Sequence, residues 1–335
     1  MSEKKYIRLL NIVFLFFIES LNLMAQDSQF SQYYAAPLHL SPSFAGSTNG
    51  GRVVGIYRMQ WPFIKIYNTT SFSVDLNMPL ISSGIGLMAY NELAGTSNLQ
   101  RTSIAGCYTY NFPVTKKISV RAGVIGSYNR VGFNFKKLTF GDEIYYELPE
   151  TQEVIPIQNK GYFDAGASVM GLMRIYWLGV TLDHLLTPDE SLTGYSSDIP
   201  VKLRVFGGGK IDLNGRIGRD NEKSIAYSFL YRAQGKFDQF DLGCYYMKVP
   251  LIIGLWYRGL PGIKNNPENS INHDALIFLI GYRRKHYGIT YSYDISVSRL
   301  YLSGGAHEIS FQYLFWQDRQ VKKRDKRVIV PCPRF

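Results

Sequence analysis

The stretch HYGITYSYDIS, residues 286–296, alternates without a break. Tyr287, Ile289, Tyr291, Tyr293 and Ile295 share one side of an extended strand, and Gly288, Thr290, Ser292, Asp294 and Ser296 share the other. Successive side chains of a strand point to opposite faces, so this is a ribbon with one apolar aromatic face and one polar face. A soluble sandwich uses such a ribbon once or twice. Here the period recurs along the chain. Thr70, Phe72, Val74 and Leu76 oppose Ser71, Ser73, Asp75 and Asn77, and Ile225, Tyr227, Phe229 and Tyr231 oppose Ala226, Ser228 and Arg232. Ile118, Val120, Ala122, Val124 and Tyr128 oppose Ser119, Arg121, Ser127 and Asn129, and Ile309, Phe311, Tyr313 and Phe315 oppose Ser310 and Gln312.

Fourteen strands are predicted, at 53–60, 69–77, 84–91, 99–112, 118–131, 161–173, 175–182, 203–213, 223–233, 238–248, 251–259, 274–284, 286–296 and 306–315. Lipid offers no partner to backbone N–H and C=O groups, so spanning β-structure must close on itself and leave no edge. Most of these segments supply the about 9–11 tilted residues that one crossing needs. The fold class is therefore all-β, a transmembrane antiparallel β-barrel of 14 strands, with 12 and 16 as the neighbouring even counts. Two strands fit the pattern poorly. Residues 251–259 are apolar on both faces apart from Gly254 and Arg258, and Gly207-Gly208-Gly209 points to a bend or a close backbone approach.

Residues 1–25 read as a secretory signal peptide. Lys4, Lys5 and Arg8 precede an apolar run from Leu9 to Ile18, and Ala25 closes it with a small residue. Residues 26–50 lack strand alternation, and Pro37 and Pro42 disfavour helix and central strand, which leaves a lumen plug or a docking segment. The barrel occupies 51–316. Residues 317–335 form a basic tail with seven Lys or Arg against two Asp. An even-stranded barrel in the outer membrane puts both termini in the periplasm and its longer loops outside. The longest links, 132–160, 183–202 and 260–273, all fall on the outer side in that arrangement. The net charge of +11 follows partly from the tail and suits solvated loops, so nucleic acid is not an expected partner.

The N-terminal QDSQFSQYYAAPLHLSPSFAGS, the late SYDISVSRLYLSGGAHEIS and the terminal PCPRF resemble the two ends of the PorP/SprF family of outer-membrane proteins, tied to type IX secretion and gliding motility. Where the family pattern has an Asn-Pro-Ala-like step this chain has Ser41-Pro42-Ser43, so no role is carried over to residue 41. The resemblance implies a non-enzymatic barrel that exports or anchors a secreted protein with a type IX C-terminal sorting domain, often an adhesin. It also implies periplasmic ring or peptidoglycan-associated partners.

The residues themselves indicate little bond chemistry. His39, His184, His273, His286 and His307 are scattered. Asp183–His184 and His273–Asp274 are adjacent in sequence, which in a strand sends the two side chains to opposite faces and spoils acid–base cooperation. No Ser or Cys sits in a nucleophile elbow, and His307-Glu308 lacks the second histidine of a zinc protease motif. Cys107 is expected inward and Cys244 outward, so they cannot bridge each other; no catalytic, metal or cofactor site is predicted.

The candidate functional residues are therefore for binding. Gln29, Phe30, Gln32, Tyr33, Pro42 and Gly46 serve either the plug or an N-terminal docking edge. Pro331, Cys332, Pro333, Arg334 and Phe335 form a C-terminal peptide able to add to a sheet edge. Arg121, Arg232, Arg283 and Asp294 face inward, where unpaired charge is costly, and are expected to form a paired interior network. The alternative is that they line the lumen of a passive porin for small solutes.

Overall fold

The computed structural model describes residues 27, 29–63, 67–95, 99–115, 117–133, 140–147, 149, 151–152, 159–173, 175–192, 196–214, 222–235, 237–259, 273–297 and 304–316. The signal segment 1–25 and the tail 317–335, with Pro331, Cys332, Pro333, Arg334 and Phe335, lie outside the described residues. Fourteen antiparallel strands close into a barrel. In chain order they are β1 (Gly51–Gln60), β2 (Tyr67–Met78), β3 (Ser83–Ala94), β4 (Leu99–Pro113) and β5 (Ile118–Gly132). Then come β6 (Asn159–Met173), β7 (Tyr176–Asp183), β8 (Lys202–Asp212), β9 (Lys223–Gln234) and β10 (Phe237–Lys248). The last four are β11 (Leu251–Gly259), β12 (His273–Arg283), β13 (Tyr287–Ser296) and β14 (Ala306–Phe315).

Each strand pairs with its sequence neighbours, and β1 closes on β14 from Gly51↔Phe315 to Gln60↔Ala306. The alternation places the side chains as the period requires. In β13, Tyr287, Ile289, Tyr291 and Ile295 are exposed on the outside while Gly288, Thr290, Ser292 and Asp294 are buried inside. Exposed aromatics collect towards both ends of the outer wall, with Tyr110, Tyr176, Tyr246, Tyr282 and Tyr313 at one end and Tyr57, Tyr128 and Phe163 at the other. That is the headgroup-level girdle of a membrane barrel around a central apolar band. Cys107 is buried and Cys244 exposed, on opposite faces of the wall.

The lumen is filled by residues 29–46. They contain a one-turn helix, Pro37–Leu40, and a 3-10 turn, Pro42–Phe44, each opened by a proline that needs no N–H partner there. Two kinds of wall receive them. On the inner faces of β6 to β12, Met170, Trp177, Phe206, Leu230, Trp256 and Ile277 form one apolar core with Tyr33, Tyr34, Leu40 and Phe44. The inner faces of β1, β2, β13 and β14 carry Arg52, Arg58, Asp75, Asp294 and Glu308 among serines and threonines. The lumen core explains why 251–259 reads as apolar on both faces: Ile252 and Trp256 pack inward and Leu251, Ile253 and Leu255 face outward. Burying a large apolar side chain away from water contributes about 1.5–3 kcal/mol, which gives the segment a core of its own inside the wall.

The glycines mark close approach. Gly208 lies opposite Trp177 in the β7–β8 register, and a Cβ there would meet the indole ring at 2.6 Å. Gly123 admits the segment's backbone, since its Cβ would stand 2.6 Å from the Ser43 nitrogen and 2.7 Å from the Pro42 carbonyl carbon. Gly123→Val should therefore leave the strand ladder intact and unseat residues 42–46. Limited proteolysis of a heat-modifiable, folded barrel should then cut within 27–50, whereas protection equal to wild type would refute the close packing.

Candidate functional site

Residues 27–50 run the length of the lumen. Gly51 and Trp316 lie at the same end of the barrel, where β1 begins and β14 finishes. Gly46 is near that end, with its N–H donated to Asp75 at 2.9 Å. Asp27 is at the other end, beside the first residues of β4 and β8 and the residue that follows β7. The expectation that both termini share one end thus describes the strand ends, Gly51 and Trp316. The segment before β1 folds back through the barrel and carries the described start of the chain to the opposite, long-loop end.

Ser31 and Gln32 form the main anchor. Their backbone N–H groups donate to the two oxygens of Glu308 at 2.8 and 2.9 Å. The Ser31 hydroxyl donates to Asp294 at 2.5 Å and accepts from Arg58 at 2.7 Å and Arg258 at 3.0 Å. Arg58 also pairs with Asp294 and Glu308, each at 2.9 Å, and Arg258 pairs with Asp294 at 3.2 Å. The Gln32 amide donates to Ser292 and to the Glu308 carbonyl, and accepts from Ser310 at 2.6 Å. These groups are buried, where breaking one partner of an ion pair costs about 3–5 kcal/mol, so they hold the segment in one position.

Below this anchor Tyr33 packs edge-on against Trp256 with ring centroids 4.9 Å apart. Phe30 packs edge-on against His39 at 4.8 Å. At the Gly51 end, Arg121 donates to the backbone carbonyls of Ser43 (2.8 Å) and Ala45 (2.5 Å), and Thr109 donates to the Pro42 carbonyl at 2.6 Å. All the N-terminal candidates, Gln29, Phe30, Gln32, Tyr33, Pro42 and Gly46, thus lie within the lumen.

The four interior charges occupy separate settings. Asp294 belongs to the Ser31 anchor, and Arg232 pairs with Asp241, which Arg258 also approaches at 3.4 Å. Arg283 meets Glu222 at 3.1 Å near the Gly51 end, and Arg121 bonds the carbonyls of Ser43 and Ala45. Arg58, Arg258 and Glu308 join the candidates in this interior, and each falls in the inward phase of its strand. Asp27, in a segment with no period, gave no such signal.

At the long-loop end the segment stops short of filling the barrel. A cavity of about 150 Å³ lies between Phe30, Leu38 and His39 and the wall residues Tyr90, Arg101 and Tyr162. Asp27 sits at its mouth, 2.8 Å from His184 Nε2, 3.0 Å from Lys202 and 3.8 Å from Arg101. His184 turns its Nδ1 to Asp164 at 2.6 Å, while Asp183 pairs instead with Arg204. The adjacent Asp183–His184 pair therefore does not act together. The backbone of His273 and Asp274 opens β12, and their side chains are outside the description. Burial disfavours the His184 cation, but the hydrogen bonds its ring donates to Asp164 and Asp27 prevail and raise its pKa from 6.5 to about 9. Burial alone would raise Asp27, yet Lys202, His184 and Arg101 hold it well below the usual carboxylate range. The site is thus an ion cluster with His184 charged at neutral pH.

The linkage follows from the raised histidine. Its stabilising contribution is complete below 6.5 and is lost as pH rises through about 9. The unfolding midpoint of the heat-modifiable barrel should fall more between about pH 7 and about pH 10 in the wild type than in His184→Gln. Parallel pH curves for the two proteins would contradict the cluster.

A family model described as Type IX secretion system membrane protein PorP/SprF matches residues 22–313. Among solved structures, the Ralstonia pickettii toluene transporter TbuX is 10% identical with a TM-score of 0.45, covering 84% of this chain and 94% of that one. The CymD monoaromatic hydrocarbon channel is 10% identical with a TM-score of 0.44, covering 84% and 93%. BamA from Haemophilus ducreyi, lacking POTRA domains 1–3, is 9% identical with a TM-score of 0.38, covering 79% and 70%. No curated protein matches the chain.

Proposed function

The chain belongs to the PorP/SprF family of type IX secretion system membrane proteins, and from that premise we propose that it is a non-enzymatic outer-membrane scaffold. Its long-loop end faces outwards and holds a secreted protein with a type IX C-terminal sorting domain, adhesin-like in kind. Its Gly51–Trp316 end faces the periplasm and meets the ring or peptidoglycan-associated parts of the machine. The observation that carries this reading is the occupied lumen: Ser31 and Gln32 are tied to Glu308 and Asp294, and Tyr33 and Tyr34 sit in an apolar core. A passive porin needs an open, water-filled path, and these contacts occupy it.

The charged interior supports the same reading. Among the described residues the inward Arg58, Arg232, Arg258 and Arg283 pair with carboxylates. A paired network rigidifies a wall that must keep its shape while pulled from either side. In this proposal 26–50 acts as plug, and the tail 317–335 supplies the periplasmic contact through Pro331, Cys332, Pro333, Arg334 and Phe335.

A tag in the 132–160 loop leaves both ends of the chain untouched for a mild-detergent pull-down from the native outer membrane. Stoichiometric recovery of a sorting-domain protein or of periplasmic machine components is expected. Deleting 328–335 should cut recovery of the periplasmic set without affecting barrel insertion. Reproducible recovery of the bare barrel, with or without the deletion, would contradict the scaffold.

A further inference from the structure

The cluster at the long-loop end has a feature that a closed wall alone does not need. Three cations fixed to the barrel, Arg101 at the start of β4, His184 just after β7 and Lys202 at the start of β8, converge on one carboxylate. That carboxylate belongs to the N-terminal arm, ahead of the Ser31–Gln32 anchor. The cup and its occupant are therefore on separate parts of the chain.

The neighbouring wall acids are already engaged, Asp164 and Glu190 with cations of the cup itself, and Glu92 also stands 3.9 Å from Arg101, which leaves Lys202, among the described residues, as the cation that Asp27 alone meets. Asp164 takes the second nitrogen of His184, Asp183 takes Arg204, Glu190 takes Arg101 at 2.5 Å, and Asp189 takes Lys160 at 2.5 Å. Among the described residues Lys202 pairs with no carboxylate except Asp27. Lifting the arm would leave that ammonium and one side of the His184 imidazolium facing a vacated acceptor position. The cup remains within reach of solvent, since the side chains of Asp27, His184 and Lys202 keep 19%, 16% and 14% of their exposure. The cavity of about 150 Å³ continues from it, lined by Tyr90 and Tyr162 on the wall and Phe30, Leu38 and Met88 beside them.

We propose that this cup is a carboxylate-binding site which Asp27 fills in cis, and that an acidic residue of a partner peptide takes its place when the arm is displaced. The partner half of the inference rests on the scaffold function proposed above. A peptide carboxylate fits better than the phosphate of a membrane lipid. The cup already holds a carboxylate through single-point contacts. A tethered carboxylate competes at millimolar effective concentration, so the wild type should bind a free one weakly and removal of Asp27 should strengthen binding by about tenfold or more.

The test uses the full-length protein in detergent and three probes: N-acetyl-aspartate amide, N-acetyl-asparagine amide and inorganic phosphate. Titration calorimetry compares wild type, Asp27→Ala and Asp27→Asn; the second variant keeps the side chain's shape, so a folding defect in the first does not silence the measurement. The aspartate probe should bind both variants about tenfold more tightly than wild type, and adding Lys202→Gln should abolish the gain. Equal binding of the aspartate probe to wild type and both variants would overturn the proposal. So would an asparagine probe or phosphate that binds as well as the aspartate probe. No probe contains any part of a secreted protein, so this outcome is scored apart from the scaffold function. Tight, Lys202-dependent aspartate binding beside a pull-down of bare barrel would contradict the scaffold and support the cup.

Discussion

Charge inside a closed barrel must find a partner, and the structure depends on how that demand is met. The wall brings Arg58, Arg258, Asp294 and Glu308 inward on β1, β11, β13 and β14, and closure of β1 on β14 joins the first strand to the late ones. These side chains pair with one another, and Ser31 and Gln32 add hydrogen bonds to Glu308, Asp294 and Arg58. Ordering a free backbone residue costs about 1–2 kcal/mol, so a terminal segment stays in a lumen only where such contacts compensate. The N-terminal segment is thus a structural part of the barrel interior.

A second division follows from the first. One side of the lumen is polar and holds the segment by hydrogen bonds and ion pairs. The other is apolar and holds it by Tyr33, Tyr34, Leu40 and Phe44. Ion pairing fixes the register and apolar burial supplies adhesion, much as in the core of a soluble domain. The result, among the described residues, is a wall with a filled centre and a cavity at the long-loop end. A component that must transmit force or position partners on two sides of a membrane benefits from such a centre, and a solute channel does not.

The strands were legible in the sequence because each face meets a different medium. Lipid demands apolar groups on alternate residues, and the lumen accepts polar ones, so HYGITYSYDIS reads directly as β13. Where the lumen wall is itself apolar, as at Ile252 and Trp256, the period blurs, and only the segment packed against it explains the residues. Gly123 and Gly84 were silent for the same reason, since the backbone they admit comes from residues 42–46. Arg121 faces inward as its strand phase requires, and its partners, the carbonyls of Ser43 and Ala45, come from the same segment. The path of the N-terminal segment is set by these long-range contacts, so alternation alone could not place Asp27 beside His184 and Lys202.

The occupied lumen is the central claim, and single-channel conductance of the purified full-length protein in planar bilayers tests it most directly. A plug held by the Glu308 and Asp294 anchor predicts small steps or none across the accessible voltage range. Large, stable open-channel steps from the folded wild-type barrel would contradict it and favour a porin.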